Sequence, residues 1–237
     1  MPFSAAPITA VAASGWSAEP APGDRIGERY RVTGVLGRGG MGAVYRVVDD
    51  QDGAERALKI LRADDDQGLR RAILRFQREF HTMARLVHPR IVEVFDYGVD
   101  GARPFYTLEL LDGRDLRDTG RLEISELCSL LRDVASALAF LHTRRLLHRD
   151  LAPRNVRHTS DGRAKLIDFG VLATVGAPGD LAGTPPFVAP ESLRGAALDH
   201  RTDLFGLGAL AYWLLARRHA YPCRDFVSLE EAWRDRP

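Results

Sequence analysis

The stretch HRDLAPRN, residues 148–155, places a carboxylate and an amide five residues apart, at Asp150 and Asn155. A second stretch, IDFG at residues 167–170, adds Asp168 at the end of a strand-like run. Carboxylate and amide oxygens suit Mg²⁺, and a carboxylate can also accept a proton. Together the stretches predict a magnesium site with Asp150 accepting or orienting a proton, although either one alone is common enough to arise by chance.

The composition is that of a globular protein: of 237 residues, 45% are hydrophobic and 27% are charged. A net charge of +1 argues against nucleic acid or an anionic membrane surface as the main partner. No run reaches the roughly 18 apolar residues of a membrane span, and the N-terminus lacks the positive charge of a secretory signal. The two cysteines, Cys128 and Cys223, match no metal or disulfide pattern. These features predict a cytoplasmic protein with reduced thiols.

Residues 1–28 are rich in alanine, proline, serine and glycine, which predicts a disordered arm. From Tyr30 onward, β-branched runs predict strands, over 30–37, 42–49, 55–61, 91–98 and 103–111. Apolar residues spaced three and four apart predict a helix over 69–86. Further helices are expected over 124–142, with Ser125 as the N-cap, and over 202–216. This order predicts an α+β fold, a small sheet with one helix followed by a helical region.

The glycine cluster LGRGGMGAV, residues 36–44, lies between two predicted strands. Glycines at 37, 39 and 42 let the backbone pass close over a phosphate chain, because no Cβ stands in the way. A plain hairpin turn explains the cluster equally well when it is taken alone. It is not a dinucleotide-binding fingerprint, since a strand follows Gly42, and it lacks the terminal Gly-Lys-Ser/Thr of a Walker A loop.

Lys59 lies in the apolar run ALKI, residues 57–60. Only two of the 33 cationic residues are lysines, Lys59 and Lys165, which suggests that this position needs a compact ammonium. Glu79, on the predicted helix, offers a carboxylate that would hold the lysine facing a phosphate. The alternatives are an edge-strand lysine that points to water and a solvated glutamate on the helix surface.

Two further motifs follow in order, GTPPFVAPE at residues 183–191 and TDLFGLG at residues 202–208. In the order and spacing of all six motifs, the chain resembles the eukaryotic-type (Hanks-type) protein kinases, and RGGMGAVY is similar to the bacterial serine/threonine branch. The resemblance covers residues 30 to about 226. It implies a two-lobed kinase fold at residues 29–237, with a β-rich N-lobe of about 29–111 that contains one helix, αC. The C-lobe of about 112–237 is expected to be mainly helical and truncated near helix αG, which predicts a longer protein with further C-terminal regulatory domains.

The resemblance also implies roles for individual residues. Asp150 would accept or orient the proton of the substrate hydroxyl, and Lys59 would contact the ATP phosphates and pair with Glu79. Asn155 and Asp168 would hold Mg²⁺, with Mn²⁺ as an alternative. Asp203 would brace the catalytic loop. ATP would contact the glycine loop, the adenine pocket and the hinge, at Leu36, Gly37, Arg38, Gly39, Gly40, Met41, Gly42, Val44, Ala57, Lys59, Leu108, Glu109 and Leu111.

Ala152 departs from the serine/threonine pattern, which has a lysine there to contact the γ-phosphate. Arg154 stands where tyrosine kinases place an arginine with a related role, so we hypothesise that it supplies the missing cation. The alternative is a surface arginine in an arginine-rich protein. Thr184 of GTPPFVAPE favours serine/threonine specificity, because in that branch this threonine bonds the catalytic acid and shapes the substrate platform.

The segment from Asp168 to Glu191 contains only one hydroxyl residue ahead of Gly183, at Thr174. Arg149 would normally clamp a phosphorylated residue of this segment, and Asp180 is expected to serve as a fixed anion in its place. Arg157 stands where the family has an apolar floor for adenine, and its side chain would either stack there or turn to solvent. The carboxylate of Glu191 is expected to lack its usual arginine partner.

The resemblance predicts a serine/threonine kinase that transfers the γ-phosphate of ATP to a protein substrate. A pseudokinase, as an ATP-binding or scaffolding module, is the alternative that Ala152 leaves open. A phosphotransferase acting on small molecules is disfavoured by GTPPFVAPE, which is similar to a platform for protein substrates.

Overall fold

The computed structural model describes residues 19–39, 42–62 and 66–234. The predicted α+β class is confirmed, with a β-sheet and one helix early in the chain and the other helices later. The chain divides into two units. One takes in the chain up to His81 together with Val94–Leu110, and the other consists of Thr82–Glu93 and the chain from Leu111 onward.

The position of Thr82–Glu93 differs from the expectation of a continuous N-lobe over 29–111. Backbone hydrogen bonds explain the difference, since the N–H of Val92 donates to the carbonyl of Leu166 and the N–H of Leu166 donates to the carbonyl of Arg90. Ile91 also forms a parallel β-bridge with Leu166. These bonds attach the segment to residues of the second unit.

The first unit contains a six-stranded antiparallel sheet, in the order β1-β2-β3-β4-β6-β5. Its strands are β1 (Arg25–Ile26), β2 (Tyr30–Gly39), β3 (Gly42–Asp49), β4 (Glu55–Leu61), β5 (Val94–Asp100) and β6 (Arg103–Glu109). The arm predicted over 1–28 is therefore too long, because β1 pairs with β2 and the side chain of Ile26 is fully buried. Residues 1–18 of that arm lie outside the described residues.

The strand register lines up residues of four neighbouring strands. Gly37 pairs with Val44, Val44 with Lys59, and Lys59 with Tyr106. Side chains of directly paired residues lie on the same face of an antiparallel sheet, and residues two apart in one strand share that face. Ala57 and Leu108, which also pair with each other, therefore lie on the face that bears Lys59.

The helix of the first unit, α1 (Asp66–Met83), is amphipathic. Leu69, Phe76 and Phe80 are buried, at the spacing of three and four that places side chains on one helix face. The helix ends three residues earlier than the predicted Leu86, because the N–H groups of Arg85 and Leu86 donate to carbonyls three residues back and form a turn.

The second unit is mainly helical, and α2 and α4 pack against each other in it. Its helices are α2 (Ile124–Thr143), α3 (Pro190–Leu193), α4 (His200–Ala216) and α5 (Phe226–Ala232). Its short strands are β7 (Arg114–Asp115), β8 (Leu146–Leu147), β9 (Val156–His158), β10 (Ala164–Leu166) and β11 (Ala173–Thr174). None of the helices within the described ranges is long and apolar enough to span a membrane.

The two long helices of the second unit begin with different kinds of cap. Asp199 caps α4, since its carboxylate accepts the N–H of Arg201 at 2.8 Å. The predicted cap of α2 at Ser125 is wrong, because the helix begins one residue earlier and has Glu123 as its N-cap without a side-chain bond.

Candidate active site

The carboxylate of Asp150 is held by three side chains within the second unit. Its Oδ1 accepts a hydrogen bond from Thr184 Oγ1 at 2.5 Å. Its Oδ2 accepts bonds from Asn155 Nδ2 at 2.8 Å and from Arg154 Nη2 at 3.1 Å. Asp150 is 6% exposed, so these donors offset the cost of burying its charge. The structure thus brings together all the residues that the sequence assigned to this part of the site.

The backbone leading to Asp150 is strained and braced. Arg149 has φ 70°, in the left-handed region that non-glycine residues rarely adopt. The N–H groups of His148 and Arg149 donate to the carboxylate of Asp203 in α4, at 2.9 and 2.8 Å. The ring nitrogen Nε2 of His142 lies 2.8 Å from the same carboxylate. Asp203 therefore fixes the conformation of the loop, as its predicted bracing role requires.

Ala152 is buried and Arg154 is partly exposed, as expected if Arg154 supplies the cation that position 152 lacks. The exposed fraction of Ala152 is 1%. The side chain of Arg154 is 48% exposed and contacts Asp150 through one nitrogen. A cation thus stands beside the carboxylate and also reaches solvent.

Asn155 and Asp168 offer the oxygen ligands of the predicted metal site. The amide nitrogen of Asn155 donates to the backbone carbonyl of Asp150 at 2.9 Å as well as to its carboxylate, so the amide oxygen is turned the other way. Oδ1 of Asp168 accepts the N–H of Gly170 at 3.1 Å. Among the described residues no cluster of three or more carboxylate, histidine or cysteine ligands exists. One carboxylate and one amide fit a hard cation that keeps water and takes further oxygens from phosphates.

Lys59 and Glu79 form an ion pair within the first unit. The ammonium Nζ lies 2.8 Å from Oε1 of Glu79, and the two side chains are 16% and 6% exposed. The predicted pair is therefore present, and the solvated alternatives for both residues are wrong.

Tyr106 completes this pair in a way that the sequence did not predict. Its hydroxyl donates to the same Oε1 of Glu79 at 2.9 Å, and Lys59 Nζ lies 5.8 Å from its ring centroid. Burial raises the pKa of Tyr106, so the hydroxyl remains a donor. The rings of Phe76 and Phe80 in α1 pack against it, with centroids at 4.8 and 5.9 Å.

The glycine-rich hairpin joins β2 and β3. A Cβ at Gly42 would lie 2.4 Å from the carbonyl oxygen of Ile60, so close packing against β4 excludes a side chain. A Cβ at Gly37 would meet nothing within 4 Å, so packing inside the chain does not explain that glycine. Two of the predicted ATP contacts, Gly40 and Met41, lie outside the described residues.

Arg38 of this hairpin turns to Glu19, whose carboxylate lies 2.9 Å from Arg38 and 3.1 Å from Arg62. Nothing in the local sequence signals this contact, which connects residues 19 and 43 positions apart in the chain. Pairing with Arg38 lowers the pKa of Glu19, so the bridge is charged at neutral pH.

The other predicted ATP contacts are spread over both units. Ala57 and Leu108 are buried, whereas Leu36 is 45% exposed. Val44 shares the sheet face of Lys59 through their pairing. Glu109 ends β6 in the first unit, and Leu111 belongs to the second unit.

Asp180 pairs with Arg149, as the sequence predicted. A carboxylate oxygen and the backbone carbonyl of Asp180 both accept from Nη2 of Arg149. Gly183, at φ 102°, brings the same segment against the loop, and a Cβ there would lie 2.7 Å from the carbonyl oxygen of Arg149. Thr174 lies in β11.

The sequence left the surroundings of Arg157 and Glu191 open. Arg157 donates through Nε to the backbone carbonyl of Asp112 at 3.0 Å at an exposed position, and the choice between stacking under adenine and turning to solvent stays a prediction. The carboxylate of Glu191, expected to lack its usual arginine partner, accepts a hydrogen bond from Thr202 Oγ1 at 2.8 Å, and the absence of the arginine stays a prediction. Thr202 is the first residue of the motif TDLFGLG and lies in the first turn of α4, and nothing in the sequence signalled this role.

Comparisons with known proteins agree with the motif order. The sequence model described as protein kinase domain matches residues 30–233. The chain is 36% identical over 207 residues to the DNA damage-responsive serine/threonine-protein kinase RqkA of Deinococcus radiodurans, covering 81% of this chain and 30% of the relative. It is 34% identical over 209 residues to serine/threonine-protein kinase PknL of Mycobacterium tuberculosis, covering 83% and 51%.

Serine/threonine-protein kinase PrkC of Bacillus subtilis is 31% identical over 219 residues, covering 87% of this chain and 33% of the relative. The chain therefore spans about a third to a half of the length of these curated relatives.

Proposed function

Because the chain belongs to the protein kinase domain family, we propose that it transfers the γ-phosphate of ATP to serine or threonine hydroxyls of a protein substrate. The observation that carries this proposal is the carboxylate of Asp150, oriented by Thr184 on one oxygen and by Asn155 and Arg154 on the other. A carboxylate held in this way is a fixed acceptor for a proton.

In the proposed reaction, Asp150 accepts or orients the proton of the substrate hydroxyl while that oxygen attacks the γ-phosphoryl group, and the bond from the γ-phosphorus to the bridging oxygen breaks, so that ADP leaves. The transfer needs little covalent help, so positioning and charge neutralisation supply most of the catalysis. The bond from Thr184 to Asp150 supports serine/threonine specificity, because it couples the GTPPFVAPE segment to the catalytic acid. Arg154 is proposed to neutralise charge on the transferred group, in place of a lysine at position 152.

Lys59 is proposed to bind the phosphates of ATP while Glu79 and Tyr106 hold it in place. The open space beside Gly37 supports close approach of a phosphate chain to the hairpin. Asn155 and Asp168 would hold Mg²⁺ or Mn²⁺, and the ion, when bound, neutralises negative charge on the phosphate oxygens. Leu36, Val44, Ala57 and Leu108 are proposed to line the adenine pocket.

The test is incubation of the protein with labelled ATP, Mg²⁺ and a generic protein substrate, beside an Asp150→Ala variant. We expect transfer to protein and a loss of at least about 100-fold in the variant. Phosphoamino-acid analysis should find phosphoserine or phosphothreonine. ATP binding without any transfer would identify an ATP-binding module instead, and label on a small molecule alone would identify a different phosphotransferase.

A further inference from the structure

The outer face of α1 carries a group of exposed cations. Arg70, Arg71 and Arg75 are exposed, and between them Leu74 has 59% of its surface open to solvent. We call these four residues the arginine face. Arg71, Leu74 and Arg75 are three and four residues apart, so they lie side by side on one side of the helix.

The arginine face differs from the rest of its unit in ion pairing. Within the described residues, every arginine of the first unit outside α1 lies within 4 Å of a carboxylate, at Arg25, Arg29, Arg31, Arg38, Arg46, Arg56, Arg62 and Arg103. Arg70, Arg71 and Arg75 have no such carboxylate among the described residues. Within the part of the chain that the structure describes, their charges are therefore uncompensated, although the net charge of the chain is only +1.

Helix stability does not explain this arrangement. Like charges at positions i and i+4, such as Arg71 and Arg75, destabilise a helix by about 0.2–0.5 kcal/mol. The buried side of α1 already fixes the helix through Leu69, Phe76 and Phe80. Carboxylates beside these arginines would serve a solvated face better, and the exposed arginines of the sheet have such partners, as at Arg25, Arg31 and Arg46.

We propose that the arginine face binds an acidic segment of a partner protein, with carboxylates facing the guanidinium groups and an apolar side chain against Leu74. Charge complementarity selects the partner, since arginine binds carboxylates in a forked geometry. The exposed leucine favours a polypeptide, because it offers an apolar contact that a phosphate backbone does not use.

Other occupants fit less well. The N-terminal residues 1–18 contain no aspartate or glutamate, so they lack the charge to bind here. A second copy of this chain in a symmetric contact would place arginine against arginine. The phosphates of nucleic acid or of a lipid headgroup would pair with the guanidinium groups but would give Leu74 no apolar contact.

The location of the arginine face gives the contact a consequence for the site. The same helix carries Glu79 on its buried side, where it pairs with Lys59. A segment bound along the outer face would stabilise α1 and hence the position of Glu79. This second step rests on the proposed function, whereas the binding itself does not.

The test uses a fluorescent peptide of repeated Glu-Glu-Leu, a Gln-Gln-Leu peptide as its uncharged counterpart, and direct binding by anisotropy without ATP. We expect the acidic peptide alone to bind, with affinity that falls as salt rises. The variant R70Q/R71Q/R75Q should lose about tenfold or more in affinity, since three charge contacts are removed. Glutamine has a helix propensity close to that of arginine, so the helix should remain intact, which circular dichroism checks.

The matched control is R132Q/R218Q/R224Q, which removes the same charge from exposed arginines of the second unit. We expect it to bind the acidic peptide like the wild type, and Leu74→Gln to weaken peptide binding. Equal losses in both triple variants would show that only the net charge matters and would overturn the proposal. So would tighter binding to duplex DNA or to vesicles of anionic phospholipid through the same arginines, or a dimer that R70Q/R71Q/R75Q dissolves.

Discussion

Arg154 places a half-exposed guanidinium 3.1 Å from the carboxylate of Asp150, next to the buried Ala152. A preorganised cation at a reacting phosphoryl group stabilises the charge of the transition state. We expect Arg154→Ala to lower kcat by about 100-fold with little change in the KM for ATP, and Arg154→Lys to recover part of the loss. Steady-state kinetics on a protein substrate measures both values. A wild-type kcat in Arg154→Ala would make Arg154 an ordinary surface arginine.

The hydroxyl of Tyr106 holds the carboxylate of Glu79, and through it the Lys59–Glu79 ion pair, in position. A hydrogen bond to a charged group contributes about 1.5–3 kcal/mol, so its loss should loosen Glu79 and with it Lys59. We expect Tyr106→Phe to raise the KM for ATP by about tenfold or more while the protein stays folded.

Tyr97→Phe is the matched control for this change, because Tyr97 lies opposite Tyr106 on the next strand and its hydroxyl accepts a bond from Gln77 at 3.1 Å instead. It should leave the KM for ATP unchanged. If both variants bind ATP like the wild type, the hydroxyl of Tyr106 has no positioning role.

At the scale of elements, the segment from Asp168 to Glu191 is held by a carboxylate that belongs to the chain itself. Asp180 contacts Arg149, whose side chain is 6% exposed. We expect Asp180→Ala to reduce activity by about tenfold, because the segment loses its anchor to the catalytic loop. Thr174→Val, which removes the hydroxyl ahead of Gly183, should leave activity unchanged. If activity instead required phosphorylated Thr174, both expectations would be wrong.

Helix α4 braces the catalytic loop through one buried carboxylate. Asp203→Asn removes the charge that accepts the N–H groups of His148 and Arg149, so we expect unfolding free energy to fall by about 2–3 kcal/mol. Asp199→Asn makes the same chemical change at the N-cap of α4, where asparagine caps equally well, and should cost almost nothing. Urea denaturation measures the unfolding free energy of both variants. Equal losses of that free energy would show that Asp203 has no special role.

Local patterns predicted the elements well and their ends less well. Strand alternation and helix periodicity located β2, β3, β4 and α1, because a one-sided core imposes those periods. The strand β1 escaped detection since it is two residues long and depends on pairing with β2. Ser125 failed as a cap because a serine inside the first turn carries the same local signal as one at the cap position.

The contacts of the candidate site were also predicted only in part. Asp150, Arg154 and Asn155 lie within one short motif, so their spacing was informative, whereas the role of Thr184, 34 residues from Asp150, came from the resemblance. The contacts of Tyr106, Glu19 and Thr202 join residues at least 11 positions apart that share no motif, and each partner alone has an ordinary local sequence. Only tertiary packing brings such partners together.

At the scale of the whole molecule, three histidines whose pKa is lowered by burial make stability depend on pH, namely His88, His148 and His219. In addition, Nδ1 of His88 accepts the N–H of Arg90, a hydrogen bond that protonation would abolish. An unfolded histidine binds a proton near pH ~6.5, whereas these native side chains stay neutral to lower pH. Their contribution is present above that pH and is lost as the pH falls, because protonation favours the unfolded state.

We therefore expect the Tm to fall between about pH 7 and about pH 5.5, a range above the titration of most carboxylates. Scanning calorimetry measures it. The double variant His88→Gln and His219→Gln should show a flatter Tm profile over this range, and an unchanged profile would place the acid sensitivity elsewhere.

The Lys59–Glu79 pair has a practical consequence for chemistry on this protein. Lysine labelling is usually indiscriminate, but here Lys59 and Lys165 are the only side-chain amines in the sequence. Acylation followed by peptide mapping would therefore report on two side chains and the amino terminus. The rate at which Lys59 is acylated therefore measures how firmly Glu79 and Tyr106 hold it. The measurement can be made in a crude mixture and needs neither a mutation nor a spectroscopic tag.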